Sequence, residues 1–332
     1  MIASPLKIVF HGTNAAQFRP GLENLIGSTH SIELLDDDLS EPNSIERFEQ
    51  ADVVVGIRLN AQMPRLRRLK LYHAPAAGTD AIDTSLLPAG SSLCNCFGHE
   101  QAIAEYVFAA LLSRHVPLAR ADADLRQQRW TYWAGAPNAL RTELGAQTLG
   151  IVGLGHIGST LAQRARAFGM RVHGCNRSKR QTDAVDQIWP LDRLPEFMAS
   201  VDAAVITLPL TEDTRSLVDH RALAALRPHA VLINVGRGPV VDEQALFNAL
   251  QSRQIGGAVI DTWYQYPGPG QTSGAPSRLD FASLDNVLMT PHMSGWTRGT
   301  VERRQQTLAE NISRLVEGRP LINQLRGPVH PA

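Results

Sequence analysis

Arg237 sits between two glycines in Asn234-Val235-Gly236-Arg237-Gly238, and His292 follows a proline in Thr290-Pro291-His292-Met293-Ser294-Gly295-Trp296. A guanidinium in a glycine turn can grip a planar carboxylate through two parallel hydrogen bonds, and an imidazole beyond a strand can move a proton near neutral pH. A third group is Gly153-Leu154-Gly155-His156-Ile157-Gly158. Its spacing suits a dinucleotide: Gly153 allows a tight turn, Gly155 lets the backbone approach a diphosphate without a Cβ, and Gly158 lets a helix pack close to the preceding strand. The N–H groups and positive dipole end at that helix start suit an anion. Taken singly, Arg237 could be a surface cation, His292 a satisfied structural histidine, and the glycine run an ordinary turn. Their chemistry becomes a site only if the elements before them end on one edge.

The elements are arranged to do that. Leu149-Gly150-Ile151-Val152 is too short and apolar for anything but a buried strand, and Leu161, Ala165 and Phe168 give the following helix an apolar face. Gly169 ends that helix and Met170-Arg171-Val172 begins a second strand. Further strands are predicted over Ala203 to Leu208, Ala230 to Val235, Ala258 to Asp261 and Val287 to Thr290. In a parallel sheet their C-terminal ends share the edge of the glycine turn, where ligands of open α/β sheets bind. Gly153, Gly155, His156, Ile157, Gly158, Leu208, Pro209, Val235 and Gly236 are therefore the expected cofactor contacts, with Arg237 and His292 beside them.

The first hundred residues repeat the pattern on a smaller scale. Strands are expected over Leu6 to Phe10, His30 to Leu35, Ala51 to Val55, Leu69 to His73 and Ser91 to Cys96. The loop Ala74 to Asp80 follows a strand end, and its small residues Ala76, Ala77 and Gly78 leave N–H groups open to a carboxylate; a plain turn is the alternative. From His99 to Arg129 the apolar spacing is that of one long helix, followed by Trp130, Tyr132 and Trp133 in a loop that would anchor an interface or pack on the helix.

Composition narrows the partner. The 332 residues carry a formal net charge of +0, with a sequence pI near 7.2, so no basic field points to nucleic acid or an anionic membrane. No apolar run of membrane-spanning length and no targeting pattern is present, which places the chain in the cytoplasm with a small-molecule partner. Cys94, Cys96 and Cys175 fall on strands and read as small buried residues; a zinc site would need further ligands, so no metal is expected.

The end of the second nucleotide-domain strand selects the cofactor. Enzymes that choose NAD place an acid about 20 residues beyond the glycine turn, where it meets the ribose hydroxyls. Here that position is Asn176, followed by Arg177, Ser178, Lys179 and Arg180. A neutral amide, a hydroxyl and cations favour the 2′-phosphate of NADPH over NADH, with NAD as the alternative.

The runs GLGHIG, TLPLTEDTR, LINVGRGPVVDEQAL, GGAVIDTW and TPHMSGWT, in this order, resemble the D-isomer-specific 2-hydroxyacid dehydrogenase family over nearly the whole chain. The resemblance implies an α/β architecture of two doubly wound parallel-sheet domains: a Rossmann nucleotide domain (101–299) inserted into a discontinuous flavodoxin-like substrate domain (1–100 and 300–332). Thr300 to Glu317 would be the returning helix. It implies that Arg237 holds the substrate, His292 is the acid/base, Asp261 lies near the nicotinamide carboxamide, and Ala76 to Gly78 bind the carboxylate. It also implies a homodimer through the long helix and the Trp130 to Trp133 loop. The expected reaction interconverts a 2-oxo acid and a D-2-hydroxy acid. One departure stands out: the family's glutamate partner of the histidine is replaced by Tyr266, in DTWYQYP, within a connection, Tyr264 to Asp280, longer than usual. A phenol favours the imidazolium less than a carboxylate does. Glu100 is a possible substitute carboxylate. The alternatives are a formate- or phosphite-type dehydrogenase and a non-catalytic nucleotide-sensing protein.

Overall fold

The structure is a computed structural model, described here over residues 5–27, 29–178, 182–268 and 271–327. The chain divides into two compact units, one of Met1–Gly98, Gly268–Thr272 and Trp296–Ala332, the other of His99–Pro267 and Ser273–Gly295. The first unit opens with β1 (Lys7–His11), α1 (Gly12–Ala16), α2 (Glu23–Ile26), β2 (Ser31–Leu35), α3 (Ser44–Glu49), β3 (Val53–Val55), β4 (Leu71–His73) and β5 (Ser92–Cys94). The second contains α4 (Glu100–His115), α5 (Leu118–Arg126), β6 (Thr148–Val152), α6 (His156–Ala167), β7 (Arg171–Cys175), β8 (Gln187–Trp189) and α7 (Leu194–Ala199). It continues with β9 (Ala203–Ile206), α8 (His220–Ala225), β10 (Val231–Asn234), α9 (Glu243–Gln251), β11 (Gly257–Ile260) and β12 (Val287–Met289), and the chain then returns to the first unit with α10 (Arg298–Glu317) and β13 (Gln324–Arg326).

Short β-branched runs make the strands, because their side chains fill both faces of a covered sheet. In the second unit the sheet order is β12-β11-β10-β9-β6-β7-β8, and the pairings are parallel. Strand order reverses at β6, which puts the glycine turn after β6 at the switch point where such sheets bind ligands. Ile103, Val107 and Leu111 of α4 and Leu161 and Ala165 of α6 pack with Leu149, Ile151, Val172, Val205 and Ile233 in one core, while Phe197, Met198 and Leu246 belong to another with Val152, Ile206 and Ile260. In the first unit the order is β13-β5-β4-β3-β1-β2, parallel except for β13, which runs antiparallel to β5. Leu308, Ala309 and Ile312 of α10 bury with Ile8, Phe10, Phe18 and Cys94. The architecture is the α/β pair of parallel sheets that the sequence leads one to expect.

Several local expectations change. The stretch His99 to Arg129 is two helices: Val116 is extended (φ −124, ψ 92) and Pro117 caps α5. A residue before proline is pushed out of the α region, and proline has no N–H to continue the ladder. Phe168 is not on the buried face of α6; it is the C-cap residue and stacks on Phe108 with ring centroids 4.9 Å apart. Strands β8 and β13 were not foreseen, since QIW and QLR are too short to show a pattern. Cys94, Cys96 and Cys175 are free and buried, and burial pushes each thiol up to about 12. Among the described residues no group of three or more His, Cys, Asp or Glu side chains forms a metal site, and no helix is long and apolar enough to cross a membrane.

A buried polar pin joins the two ends of the first unit. Asn311 on α10 donates to His73 Nε2 at 2.8 Å and to the Ile322 carbonyl at 3.0 Å, and its Oδ1 accepts from the Ile322 N–H at 2.7 Å. His73 is fully buried, and burial lowers it to about 4. The folded state therefore refuses a proton that the unfolded chain accepts near 6.5, so stability is lost as pH falls from about 6.5 to 4, by about 3 kcal/mol in all. Denaturant titrations across that window should show a steeper loss for the parent than for His73→Gln; equal slopes would mean that His73 protonates normally in the folded protein.

Candidate functional site

The glycine turn distinguishes what the chain itself requires from what it leaves open. Gly153 has φ +100, and a Cβ there would lie 2.9 Å from Leu208 and Thr207; one at Gly158 would lie 2.0 Å from the Gly153 carbonyl oxygen. Gly155 is different. Its φ is −78 and an added Cβ would meet nothing within 4 Å. Neither strain nor internal crowding among the described residues explains that glycine. Gly155 is also the N-cap of α6, with no side-chain cap hydrogen bond, and His156, Ile157 and Gly158 form the first turn of the helix.

The neighbouring strand ends close around this turn. Asn176, just after β7, accepts from the Leu154 N–H at 3.3 Å and donates to the Ser178 carbonyl at 3.0 Å and hydroxyl at 3.1 Å. Its amide thus stitches the glycine turn to the loop that carries the exposed Arg177 and Ser178. Lys179 and Arg180 lie outside the described residues. Past β9, the Pro209 carbonyl accepts from Thr214, and a Cβ on Gly236 would lie 2.6 Å from the Leu208 carbonyl oxygen. Val235 N–H bonds to Ile206 O at 3.2 Å, so Leu208, Pro209, Val235 and Gly236 belong to one seam.

Asn234, at the end of β10, builds the arginine turn. Its Oδ1 accepts from the Gly236 N–H at 3.1 Å and its Nδ2 donates to the Arg237 carbonyl at 3.1 Å. Gly238 must be glycine, because a Cβ would lie 2.3 Å from the Trp263 carbonyl oxygen. Arg237 is half-buried and Nη1 donates back to Gly236 O at 2.9 Å, which steadies the base of the guanidinium.

His292 is held in a conformation that non-glycine residues rarely adopt, with φ 56. The carboxylate of Asp261, 0 % exposed, holds the loop: Oδ1 accepts from the Thr290 hydroxyl at 2.6 Å and the Met293 N–H at 2.9 Å, and Oδ2 from the Ser294 N–H at 2.9 Å. Tyr106 on α4 meets Thr290 Oγ1 at 2.7 Å, and the Trp263 indole donates to the Thr290 carbonyl at 2.8 Å. The oxygens of Asp261 are thus engaged by the chain's own loop on either side of His292. Tyr266 stands where the resemblance has glutamate, with its hydroxyl 3.1 Å from His292 Nδ1. Glu100 opens α4 with its carboxylate 3.6 Å from His99 Nδ1.

Ala76, Ala77 and Gly78 belong to the other unit. The carbonyl of Pro75 accepts from the buried Arg304 at 3.0 Å, that of Ala76 from the Cys96 N–H at 3.0 Å, and that of Ala77 from Asn95 at 2.7 Å. With successive carbonyls tied into the unit, the N–H groups of Ala76, Ala77 and Gly78 have no acceptor among the described residues. Such a row of amides is a concavity for an anion.

Comparison with known proteins agrees with this geometry. The family described as D-isomer specific 2-hydroxyacid dehydrogenase, NAD binding domain, matches residues 108–294. The chain belongs to the D-isomer specific 2-hydroxyacid dehydrogenase family. A glyoxylate reductase of Korarchaeum cryptofilum is 30% identical over 302 residues, covering 86% of this chain and 87% of its own length. Among solved structures, a D-isomer specific 2-hydroxyacid dehydrogenase from Xanthobacter autotrophicus Py2, in complex with NADPH and MES, aligns with a TM-score of 0.77 at 27% identity over 98% of each chain. An acyclic imino acid reductase, Bsp5, in complex with NADPH and D-Arg, aligns with a TM-score of 0.78 at 27% identity, over 96% of this chain and 100% of its own. As a member of the family the chain carries an NAD-binding Rossmann domain and is an oxidoreductase of small 2-oxo or 2-hydroxy acids.

Sequence reasoning missed Asn234, Tyr106, Thr290 and Trp263 as shapers of the site. Only Asn234 had a local signal, since an asparagine just before a glycine-rich turn commonly folds back on its own backbone. Asp261→Asn places an amide donor against N–H donors; the substitution should lower the melting temperature and reduce kcat about tenfold or more, read by calorimetry and by NAD(P)H absorbance. Parent-like values in both would mean that the loop does not depend on that carboxylate.

Proposed function

We propose that this chain reduces a 2-oxo acid to the D-2-hydroxy acid, with NADPH preferred over NADH. The observation that carries the proposal is His292, an acid/base side chain held at φ 56 by a buried carboxylate on the same sheet edge as the Gly155 turn. Strain of this kind, about 1–3 kcal/mol, persists where the surroundings over-determine it, as at reacting centres. When bound, the nicotinamide supplies hydride to the 2-oxo carbon. The amides at the start of α6 receive the diphosphate. Arg237 places a fixed positive charge where negative charge grows on the carbonyl oxygen, and the amides of Ala76 to Gly78 receive the substrate's carboxylate. His292, protonated, gives the proton from Nε2 to that oxygen as its carbon becomes tetrahedral and is left as the neutral imidazole, a step worth about 10²–10⁴ in rate.

The cofactor preference rests on Asn176. Its side chain is neutral and already bound to Leu154 and Ser178, so no carboxylate repels a 2′-phosphate, while Arg177 and the Ser178 hydroxyl are exposed beside it. NADPH in two solved relatives supports the same preference. A second possibility, reduction of a 2-imino acid as in the Bsp5 relative, is favoured by the neutral Tyr266 beside His292, because an iminium arrives already protonated. The domains are proposed to be 1–100 with 300–332 and 101–299, and the protein to be cytoplasmic.

A panel of glyoxylate, hydroxypyruvate, pyruvate and phenylpyruvate, with and without ammonia and with each cofactor, tests this directly. At least one 2-oxo acid should be reduced without ammonia, and kcat/KM should favour NADPH. Asn176→Asp and Arg177→Ala should shift that preference toward NADH. Arg237→Gln should raise KM and lower kcat, and His292→Ala should lower kcat by about 10²-fold or more. Turnover that requires ammonia would favour the imine, formate or phosphite oxidation would favour that alternative, and no turnover would leave a nucleotide sensor.

We also propose a homodimer through α4, α5 and the segment that follows, where Leu118, Leu125, Trp130, Trp133 and Leu140 are exposed. Sedimentation at micromolar concentration should give twice the chain mass, and a monomer mass would refute it.

A further inference from the structure

We infer that Asn95 is a positioning residue for the carboxylate-binding loop: by holding the Ala77 carbonyl it aims the Gly78 N–H at the ligand. This rests on the reading that residues 76 to 78 take the substrate's carboxylate, and it names the side chain that sets one of their amides.

A trans peptide is planar, with its C=O and N–H on opposite sides, and no peptide bond among the described residues is cis. Whatever holds the carbonyl of one residue therefore aims the N–H of the next. Three carbonyls in a row are held by buried residues: Pro75 by Arg304 Nη1 at 3.0 Å, Ala76 by the Cys96 N–H at 3.0 Å, and Ala77 by Asn95 Nδ2 at 2.7 Å. The amides of Ala76, Ala77 and Gly78 are thus turned away from the interior together, which is how successive N–H groups form a concavity for an anion. Main-chain bonds join the segments after β4 and β5 from Ala74 to Cys96, and the Asn95 side chain supplies the donor for the next carbonyl. Arg304 also holds the Phe97 carbonyl at 3.3 Å, whereas the Asn95 amide donates to Ala77 alone among the described residues.

The rest of Asn95 shows what its amide is for. The residue is 3 % exposed, and its Oδ1 is buried with no hydrogen-bond partner among the described residues. Its main chain is fixed independently by Asn323: the Asn95 N–H donates to the Asn323 carbonyl at 3.2 Å, and the Asn95 carbonyl accepts from Asn323 Nδ2 at 3.4 Å. A buried acceptor left unmet is unfavourable, and an apolar side chain of similar shape avoids that penalty. Stability alone therefore gives little reason for asparagine at this position. Its one side-chain bond is the one that sets the direction of the Gly78 N–H.

Full-length protein labelled with ¹⁵N-alanine and ¹⁵N-glycine, without cofactor, is titrated with acetate against chloride at equal ionic strength. In the parent the Ala76, Ala77 and Gly78 amide signals should move together. In Asn95→Leu the Gly78 signal should stop responding while Ala76 still responds, acetate should bind about tenfold more weakly, and the melting temperature should stay close to the parent's. Asn95→Ser, which keeps a hydroxyl donor of shorter reach, should weaken the Gly78 response without abolishing it, and it carries the test if leucine is not tolerated. In turnover, Asn95→Leu should raise KM for the 2-oxo acid about tenfold or more, with the dissociation constant of NADPH unchanged. A parent Gly78 amide that ignores acetate, or a leucine variant with the parent's Gly78 response, overturns the inference. So does a variant in which all three amides fail together, the mark of a general structural role. Because acetate binding is read without turnover, a protein that reduces no 2-oxo acid yet loses Gly78 alone in the leucine variant would sink the proposed reaction and leave this inference standing.

Discussion

One buried carboxylate organises the loop that carries His292. Asp261 follows β11, is sealed from solvent, and accepts from Thr290, Met293 and Ser294 on the segment after β12. An ionised group in that environment is costly unless hydrogen bonds replace its lost hydration, and here three do so. The same bonds are made by residues on either side of His292, whose φ is 56. Tyr106 and Trp263 reach the same Thr290, so α4, the loop after β11 and the histidine segment are tied at one residue. Backbone strain at His292 and burial of Asp261 thus occur in one arrangement: each is unfavourable alone, and the hydrogen bonds from Thr290, Met293 and Ser294 to Asp261 stabilise the loop.

Glycine positions show how the sheet edge is kept open for a ligand. At Gly158, Gly236 and Gly238 a Cβ would strike backbone atoms, so these residues let segments of the chain approach one another. Gly155 differs: its φ is −78 and a Cβ there would meet nothing within 4 Å, so nothing among the described residues requires glycine at that position. In the other unit Arg304, Cys96 and Asn95 hold carbonyls 75 to 77, and the N–H groups of Ala76, Ala77 and Gly78 have no acceptor among the described residues.

Much of this was legible in the sequence because it depended on local grammar. The glycine spacing of 153 to 158 and the apolar runs before Gly153, Asn234 and Asp261 announced strands and their ends, and the unit sheets followed. What was not legible depended on contacts distant in sequence. Nothing near Asp261 says that residues 32 and 33 positions later will claim its oxygens, nor does anything near Tyr106 point to Thr290, 184 residues away. The break between α4 and α5 was visible in Val116-Pro117 but was outweighed by the apolar spacing on both sides, and β13 has too few residues to show any period. The contact of Tyr266 with His292 was suggested only by position in a motif; that its hydroxyl would also be fixed by the Trp263 amide required coordinates.

The return of the chain in α10 and β13 bears on the order in which the protein can be made. β5 pairs with β13, and the core under β1 and β3 needs Leu308 and Ile312, so the first unit lacks an edge strand and a covering helix until more than 200 further residues have been joined. The second unit is drawn from His99–Pro267 and Ser273–Gly295, without gaps of comparable length. During synthesis from the N-terminus the later-starting unit is therefore complete before the earlier-starting one, which waits as an unfinished sheet with apolar faces that a ribosome-bound chain must keep from self-association.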